Sequence, residues 1–332
     1  MIKKLYTGRW PIRLSAILLT SLLTGCGGGG SSAPVPASSG QPVTQQSAMV
    51  VGAYFGIFDT FIYDMAMLVK ENIPWGKINR LYIAFATISS NGELVDYTNL
   101  ADSITAAEAE KRTKNIVALC RTANPDAEIL ISTAPWMFVS DDNYLQALWN
   151  PQKFADSVLR YVKKYNLDGL DIDWESPVLR DDQAVIGQLP VFFSTCRKTL
   201  QAAGPNPHGK PYKVTTTVGY HSPQTISSLK DSIDGINIMS YGGPDAGGLI
   251  DVVTKYRDAG FPTEKMIGGI TCEVENIPET ESSVAAKWSY AHQQKMGGMF
   301  AWRMDNDTRL SLGSPPTFRL TNWLFGYSLA PP

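Results

Sequence analysis

The stretch Tyr165-Asn166-Leu167-Asp168-Gly169-Leu170-Asp171-Ile172-Asp173-Trp174-Glu175 decides the fold and points to the chemistry. A strand turns successive side chains to opposite faces, so Asp171, Asp173 and Glu175 project together while Leu170, Ile172 and Trp174 project the other way. Same-face neighbours stand roughly 6.6 Å apart along a strand, close enough for carboxylates to couple. Crowded in a partly desolvated place, they cannot all ionise easily, and the resulting proton belongs to the cluster. A carboxyl kept neutral beside one kept ionised is the equipment for cleaving an acetal such as a glycosidic bond. Helix caps and solvated edges are also acidic, but this row is embedded in Leu, Ile and Trp, and Gly169 suggests close packing.

Outward from this stretch, the chain from residue 49 onward repeats one plan. Short β-branched or apolar runs occur near 49–55, 78–88, 127–132, 167–174, 212–219, 233–241, 266–270 and 297–303. Between them, 106–120, 151–165, 188–202 and 282–294 read as amphipathic helices, with Pro151 as a start signal and Gly260 as a stop after 252–259. A last helix is expected near 316–325. The alternation predicts an α/β (β/α)8 TIM barrel. An open doubly wound sheet is the runner-up, without a Gly-rich phosphate loop after its first strand.

Barrel chemistry sits at the C-terminal ends of the strands, which makes Glu175 the close of the fourth strand and gathers other strand-end residues around it. The candidates are Tyr54 and Phe55 from the first strand, Phe85 from the second, Ser132 and Trp136 from the third, Met239 and Tyr241 from the sixth, and Phe300 and Trp302 from the eighth. Aromatic faces and hydroxyls around acids suit a sugar, whose C–H face stacks while its rim hydrogen-bonds. Phe58, Phe61, Trp75, Tyr144 and Trp149 either form outer subsites or cover the barrel.

The segment Asp168-Gly169-Leu170-Asp171-Ile172-Asp173-Trp174-Glu175 resembles the DxxDxDxE signature of family-18 glycoside hydrolases, the chitinases and endo-β-N-acetylglucosaminidases. Asn237-Ile238-Met239-Ser240-Tyr241 is similar to that family's Met-x-Tyr segment, and Gly297-Gly298-Met299-Phe300-Ala301-Trp302 to its final strand. Ile131-Ser132-Thr133-Ala134-Pro135-Trp136 keeps the serine of the family's third strand and loses two glycines. The resemblance implies a substrate-assisted retaining mechanism, with Glu175 as general acid and the substrate's own 2-acetamido carbonyl as nucleophile. It implies that Asp173 holds the acetamido N–H, Asp171 tunes Asp173 and shares its proton, and Tyr241 aims the acetamido carbonyl. Trp302 becomes the floor of the site and Ser132 a support for the acid row. The substrate so implied is β-1,4-linked N-acetylglucosamine in chitin or its oligosaccharides. The alternatives are the di-N-acetylchitobiose core of N-glycans and a catalytically weak N-acetylglucosamine-binding protein.

The sequence departs from that pattern at Gly242-Gly243, where most members carry Asp after the tyrosine, at Ala134-Pro135, and at Ser176, where chitinases often carry Tyr. Residues 271–296 are also too few for the α+β insertion common in the family, which predicts an open groove suited to internal cleavage.

The N-terminus reads as a targeting segment. Lys3, Lys4, Arg9 and Arg13 precede an apolar run from Leu14 to Leu23, too short for a comfortable span but right for a signal-peptide core. Leu23-Thr24-Gly25-Cys26 resembles a bacterial lipobox, which implies residues 1–25 as a cleaved signal and Cys26 as the lipidated residue. Gly27 after it implies the outer membrane, cell surface or periplasm, with secretion as the alternative. Residues 26–48 form a Gly/Ser/Pro linker and 49–332 the catalytic domain. Of the remaining cysteines, Cys120, Cys196 and Cys272, at most one pair can bridge, and buried thiols are the expectation. His208, His221 and His292 show no ligand spacing, so neither metal nor cofactor is expected. A formal charge of −2 over 332 residues excludes a strong nucleic-acid bias. No G-x-S-x-G or Cys/His signature supports serine or thiol chemistry. A monomer is expected.

Overall fold

The computed structural model describes residues 49–58, 73–99, 104–135, 138–273, 279–309 and 314–329. The signal, Cys26, the linker, Phe61 and Trp136 lie outside the described residues. Eight parallel strands run in order around a ring: β1 (Val50–Gly56), β2 (Arg80–Ile88), β4 (Glu128–Thr133), β5 (Gly169–Ile172), β6 (Lys213–Val218), β7 (Gly235–Ile238), β8 (Met266–Thr271) and β9 (Gly298–Trp302). The ring closes because β1 pairs with both β2 and β9. Strand β3 (Leu94–Asp96) folds back antiparallel on β2, so the fourth barrel strand is β5. The helices are α1 (Ala106–Ala123), α2 (Asp141–Trp149), α3 (Pro151–Tyr165), α4 (Val178–Asp181), α5 (Gln183–Ala202), α6 (Pro223–Ser228), α7 (Gly247–Asp258), α8 (Glu281–Gln293) and α9 (Arg319–Ser328). The barrel expected from the alternation is present.

Local chemistry sets the element boundaries. Helix α3 begins at Pro151, whose missing N–H is harmless in the first turn, and buries Phe154, Val158, Tyr161, Val162 and Tyr165 along one stripe. It stops at Asn166, which takes the left-handed C-cap conformation at φ 57°. Helix α5 starts five residues before the expected Gln188, because the Asp182 carboxylate accepts the Ala184 and Val185 amides at 2.9 and 3.2 Å. Helix α9 starts at Arg319 rather than Pro316, since Phe318 is left-handed at φ 56°. Its first amides are taken by the buried Asp307 carboxylate, from Leu320 at 3.1 Å and Thr321 at 2.7 Å. Gly169 is obligatory: a Cβ there would lie 2.2 Å from the Lys213 carbonyl oxygen, so any side chain would force β5 from β6.

The β5 ladder ends at Ile172, opposite Thr216, so Glu175 lies beyond the strand rather than closing it. The Asp173 amide donates to the Thr133 hydroxyl at 3.0 Å instead of to a ladder carbonyl, and the Tyr144 hydroxyl donates to the Asp173 carbonyl at 3.2 Å. The two-sided alternation nevertheless carries on past the strand. Trp174 turns outward, stacks on Tyr144 with centroids 4.8 Å apart and donates to Asp141 at 2.8 Å.

The barrel axis is polar. Glu128 and Arg80 form an ion pair near the start of their strands, at 2.5 Å. The Arg80 guanidinium donates to Tyr82, Tyr82 to the Asn237 carbonyl oxygen at 3.0 Å, and Asn237 to Asp171 at 3.1 Å. Tyr54 stacks on Tyr82 at 4.5 Å beside this chain. Cys120, Cys196 and Cys272 are buried free thiols.

Candidate active site

Three acids leave β5 in three different environments. Asp171 is fully buried and accepts five hydrogen bonds. Thr215 (2.6 Å) and Asn237 (3.1 Å) donate to Oδ1; Tyr54 (2.9 Å), Ser132 (2.8 Å) and Thr217 (3.3 Å) donate to Oδ2. Burial pushes its pKa up, and the hydroxyls of Thr215, Ser132, Tyr54 and Thr217 pull it part of the way back.

Asp173 is also buried, yet its Oδ1 has no partner among the described residues. Burial, then the fields of Glu175 and Asp171, hold it well above the ordinary carboxylate range. Glu175 is half-buried, hydrogen-bonds no described side chain or amide, and is pushed up by burial alone. Donor supply thus falls from the interior to the rim, and the row's proton is best accommodated on Asp173 and Glu175 rather than on Asp171.

Tyr241 lies two strand-ends away, beyond β7, half-buried, with no hydrogen-bond partner for its hydroxyl among the described residues. Burial and then the fields of Asp173, Glu175 and Glu273 hold its pKa well above 10, so it remains a neutral donor. Its ring packs edge-on against Phe300 at 6.2 Å, in space left by Gly269, where a Cβ would come within 2.8 Å of the ring. Trp302 is half-buried, stacked on Phe85 at 5.8 Å and edge-on to Tyr54 at 5.4 Å. Met239 lies over Gly219, where a Cβ would sit 2.4 Å from the Met239 methyl.

The structure therefore divides the candidates. Glu175, Tyr241, Trp302 and Met239 keep partial exposure at the rim, and Asp173 sits just beneath. Tyr54, Ser132 and Phe85, expected to touch substrate, present almost no surface; the first two are spent on Asp171, and Phe85 backs Trp302. Phe55 faces outward onto Trp75 at 5.2 Å. Tyr144 is buried behind Asp173, whereas Trp149 is exposed on the outer surface.

Residues without a sequence signal complete the site. Thr215, Thr217 and Asn237 are ordinary strand residues until the barrel brings them to Asp171. Asp141 holds Trp174 and, through Ser176 at 2.7 Å, the backbone after Glu175. Glu273 follows β8, accepts Trp302 Nε1 at 3.2 Å and Asn306 at 3.1 Å, and pairs with Arg303 at 3.2 Å. It fixes the indole edge and adds a carboxylate to the rim. Among the described residues no cluster of His, Cys, Asp and Glu could hold a metal ion.

Known proteins resemble this chain in sequence and in fold. The chain is 26% identical over 201 residues to Chitinase B of Serratia marcescens, covering 56% of this chain and 38% of that protein. It is 29% identical over 136 residues to Chitinase A1 of Niallia circulans, covering 36% and 19%. The chain thus spans well under half the length of these curated relatives. Among solved structures, the class V chitinase of Nicotiana tobaccum superposes with a TM-score of 0.67 at 16% identity, over 85% of this chain and 99% of that one. A chitinase-like agglutinin of Robinia pseudoacacia superposes with a TM-score of 0.64 at 15% identity, over 84% and 99%. At such identities these two establish the shared barrel alone. The sequence profile described as Glycosyl hydrolases family 18 matches residues 54–263, from the first barrel strand to the turn before β8. Since that match takes in more than half of the chain, the protein belongs to glycosyl hydrolase family 18.

Proposed function

We propose that the protein hydrolyses β-1,4-linked N-acetylglucosamine, in chitin or chitooligosaccharides, with retention of configuration. The observation that carries this reading is the graded acid row: Asp171 saturated with donors, Asp173 buried with an oxygen that has no partner among the described residues, and Glu175 half-exposed and likewise without one among them. At rest the row holds a proton between Asp173 and Glu175. A substrate acetamido N–H arriving at Asp173 favours its ionised form, which leaves the proton on Glu175. Glu175 then protonates the departing glycosidic oxygen, while the acetamido carbonyl oxygen attacks the anomeric carbon and closes an oxazolinium. Tyr241, a neutral donor, orients that carbonyl, and the Asp173 carboxylate balances the developing charge. Water opens the ring from the face the leaving group vacated, giving its proton to Glu175.

Hydrolysis of chitotetraose followed directly by NMR tests this scheme. Expected are the β-anomer first and mixed internal products from an open groove, with no turnover when an azide replaces the 2-acetamido group at the scissile residue. Initial α-anomer excludes neighbouring-group attack. Cleavage of a high-mannose glycopeptide in preference to chitotetraose would instead identify the N-glycan core as substrate, and saturable binding without turnover a sugar-binding protein.

We further propose that Cys26 carries a lipid anchor that places the barrel at the bacterial outer membrane. The charged, apolar and small-residue order of 1–26 supports it. Fatty-acid label should enter the protein and be lost in Cys26→Ala; label that persists, or never enters, rejects the anchor.

A further inference from the structure

The turn that carries Tyr241 leaves β7 through two glycines in the left-handed region, Gly242 at φ 74° and Gly243 at φ 86°. Such a turn has little stiffness of its own. A buried ion pair from another element holds it. Lys287 on α8 is 1% exposed, and its ammonium has three donors. They go to the Ser240 carbonyl at 2.5 Å, the Gly242 carbonyl at 3.2 Å and the Glu279 carboxylate. The same Glu279 oxygen accepts the Gly242 amide at 2.9 Å, and its other oxygen accepts the Ser283 hydroxyl at 2.5 Å. The backbone is therefore gripped on both sides of Tyr241. Ser240 adds a tie to β8, donating to the Gly269 carbonyl at 3.0 Å and accepting the Gly269 amide at 3.2 Å.

Stability alone is a weak reason for such a pair. Desolvating two charges consumes most of their attraction, and apolar residues of similar size often replace buried pairs without loss. What apolar residues cannot do is hold two carbonyls and an amide at fixed positions around one side chain. The Tyr241 hydroxyl, having no described protein partner, takes its position only from its ring packing and this backbone. We propose that Lys287 and Glu279 are positioning residues that set the Tyr241 hydroxyl at the height required by the acetamido carbonyl. The inference rests on the hydrolase reading above.

The test is a double-mutant cycle on chitotetraose hydrolysis by the full chain, with Tyr241→Phe on one axis and the paired replacement Glu279→Leu/Lys287→Met on the other. Removing both charges together avoids an orphaned buried ion, and a cooperative melt confirms folding. The paired variant is expected to lose about 10- to 100-fold in kcat, the scale of a small misplacement of a catalytic group, with kcat/KM falling in parallel and KM unchanged. In the Tyr241→Phe background the same replacement should cost almost nothing more, because the positioned hydroxyl is already gone. Losses that multiply across the cycle, or a paired variant with wild-type kcat, overturn the proposal. If the paired variant does not fold, the neutral polar pair Glu279→Gln/Lys287→Gln is put through the same cycle and judged by the same two outcomes. Should Glu175→Gln and Tyr241→Phe leave turnover intact, the hydrolase reading itself fails, and this inference with it.

Discussion

Glu175→Gln is expected to lower kcat on chitotetraose by about 10²- to 10⁴-fold and to leave oligosaccharide affinity near its original value, the loss that removal of the proposed general acid would cause. The amide has the size of the acid and no proton to give. Glu175 bonds no described residue, so the exchange removes no described hydrogen bond and the melting temperature should not fall. The pH profile follows from the same environment. Burial raises the Glu175 pKa, and in the proposed scheme the acid form is the active one, so turnover should decline as pH climbs through that raised value. The alkaline limb therefore lies above the ordinary carboxylic range. Rates of the two proteins measured across pH, beside calorimetric binding of chitotetraose, check both parts. A Gln variant that keeps more than a tenth of the wild-type rate removes Glu175 from the acid's role, since general acids are worth at least about 10²-fold.

Asp173→Asn separates activity from stability. The amide cannot balance an oxazolinium, and kcat/KM should fall by about 10²-fold or more. Folding should gain. Asp173 is buried with its pKa held well above that of the unfolded chain, so its folded-state advantage is full below the unfolded value and is lost as pH rises through the folded one. Asparagine carries no such penalty. The variant's margin in melting temperature should therefore be smallest near pH 4 and widen toward pH 8, by a few degrees, roughly 3 °C for each kcal/mol relieved. A margin that narrows with rising pH would show that the wild-type carboxylate is stabilised by the fold, contrary to its position.

The strands and the acid row were legible because each has a local signature: short β-branched runs, amphipathic helices between them, and carboxyls at every second position. The helix starts at Pro151 and Gln183 differ only in kind of cap: a proline shows in the sequence, while Asp182 acts as a cap only once it faces the amides beyond it. Helix α2 was missed since its three buried residues, Tyr144, Ala147 and Leu148, are too few to show a period. The donors on Asp171 come from β1, β4, β6 and β7, and no spacing along the chain announces a partnership that closure of the ring creates. Lys287 read as one more polar residue on a helix, for the same reason. Phe55 and Phe85 were placed near the substrate by strand position alone; the inward face of the first strand belongs to Tyr54, and Phe85 lies one layer behind the indole.

The polar file from Glu128 through Arg80, Tyr82 and Asn237 to Asp171 has a consequence for how this barrel can change. In an oily core, residues can be exchanged for others of like volume one at a time, because shape is nearly all that matters. Along this file each side chain hydrogen-bonds its neighbours as well as filling space, and a truncation that leaves a buried partner unpaired costs about 1–3 kcal/mol. Substitutions there disturb partners as well as packing, so the axis constrains the sequence far below the rim. An engineer seeking a more heat-tolerant variant should leave that column untouched and work on the helical shell, beginning with the exposed Trp149 and Val191.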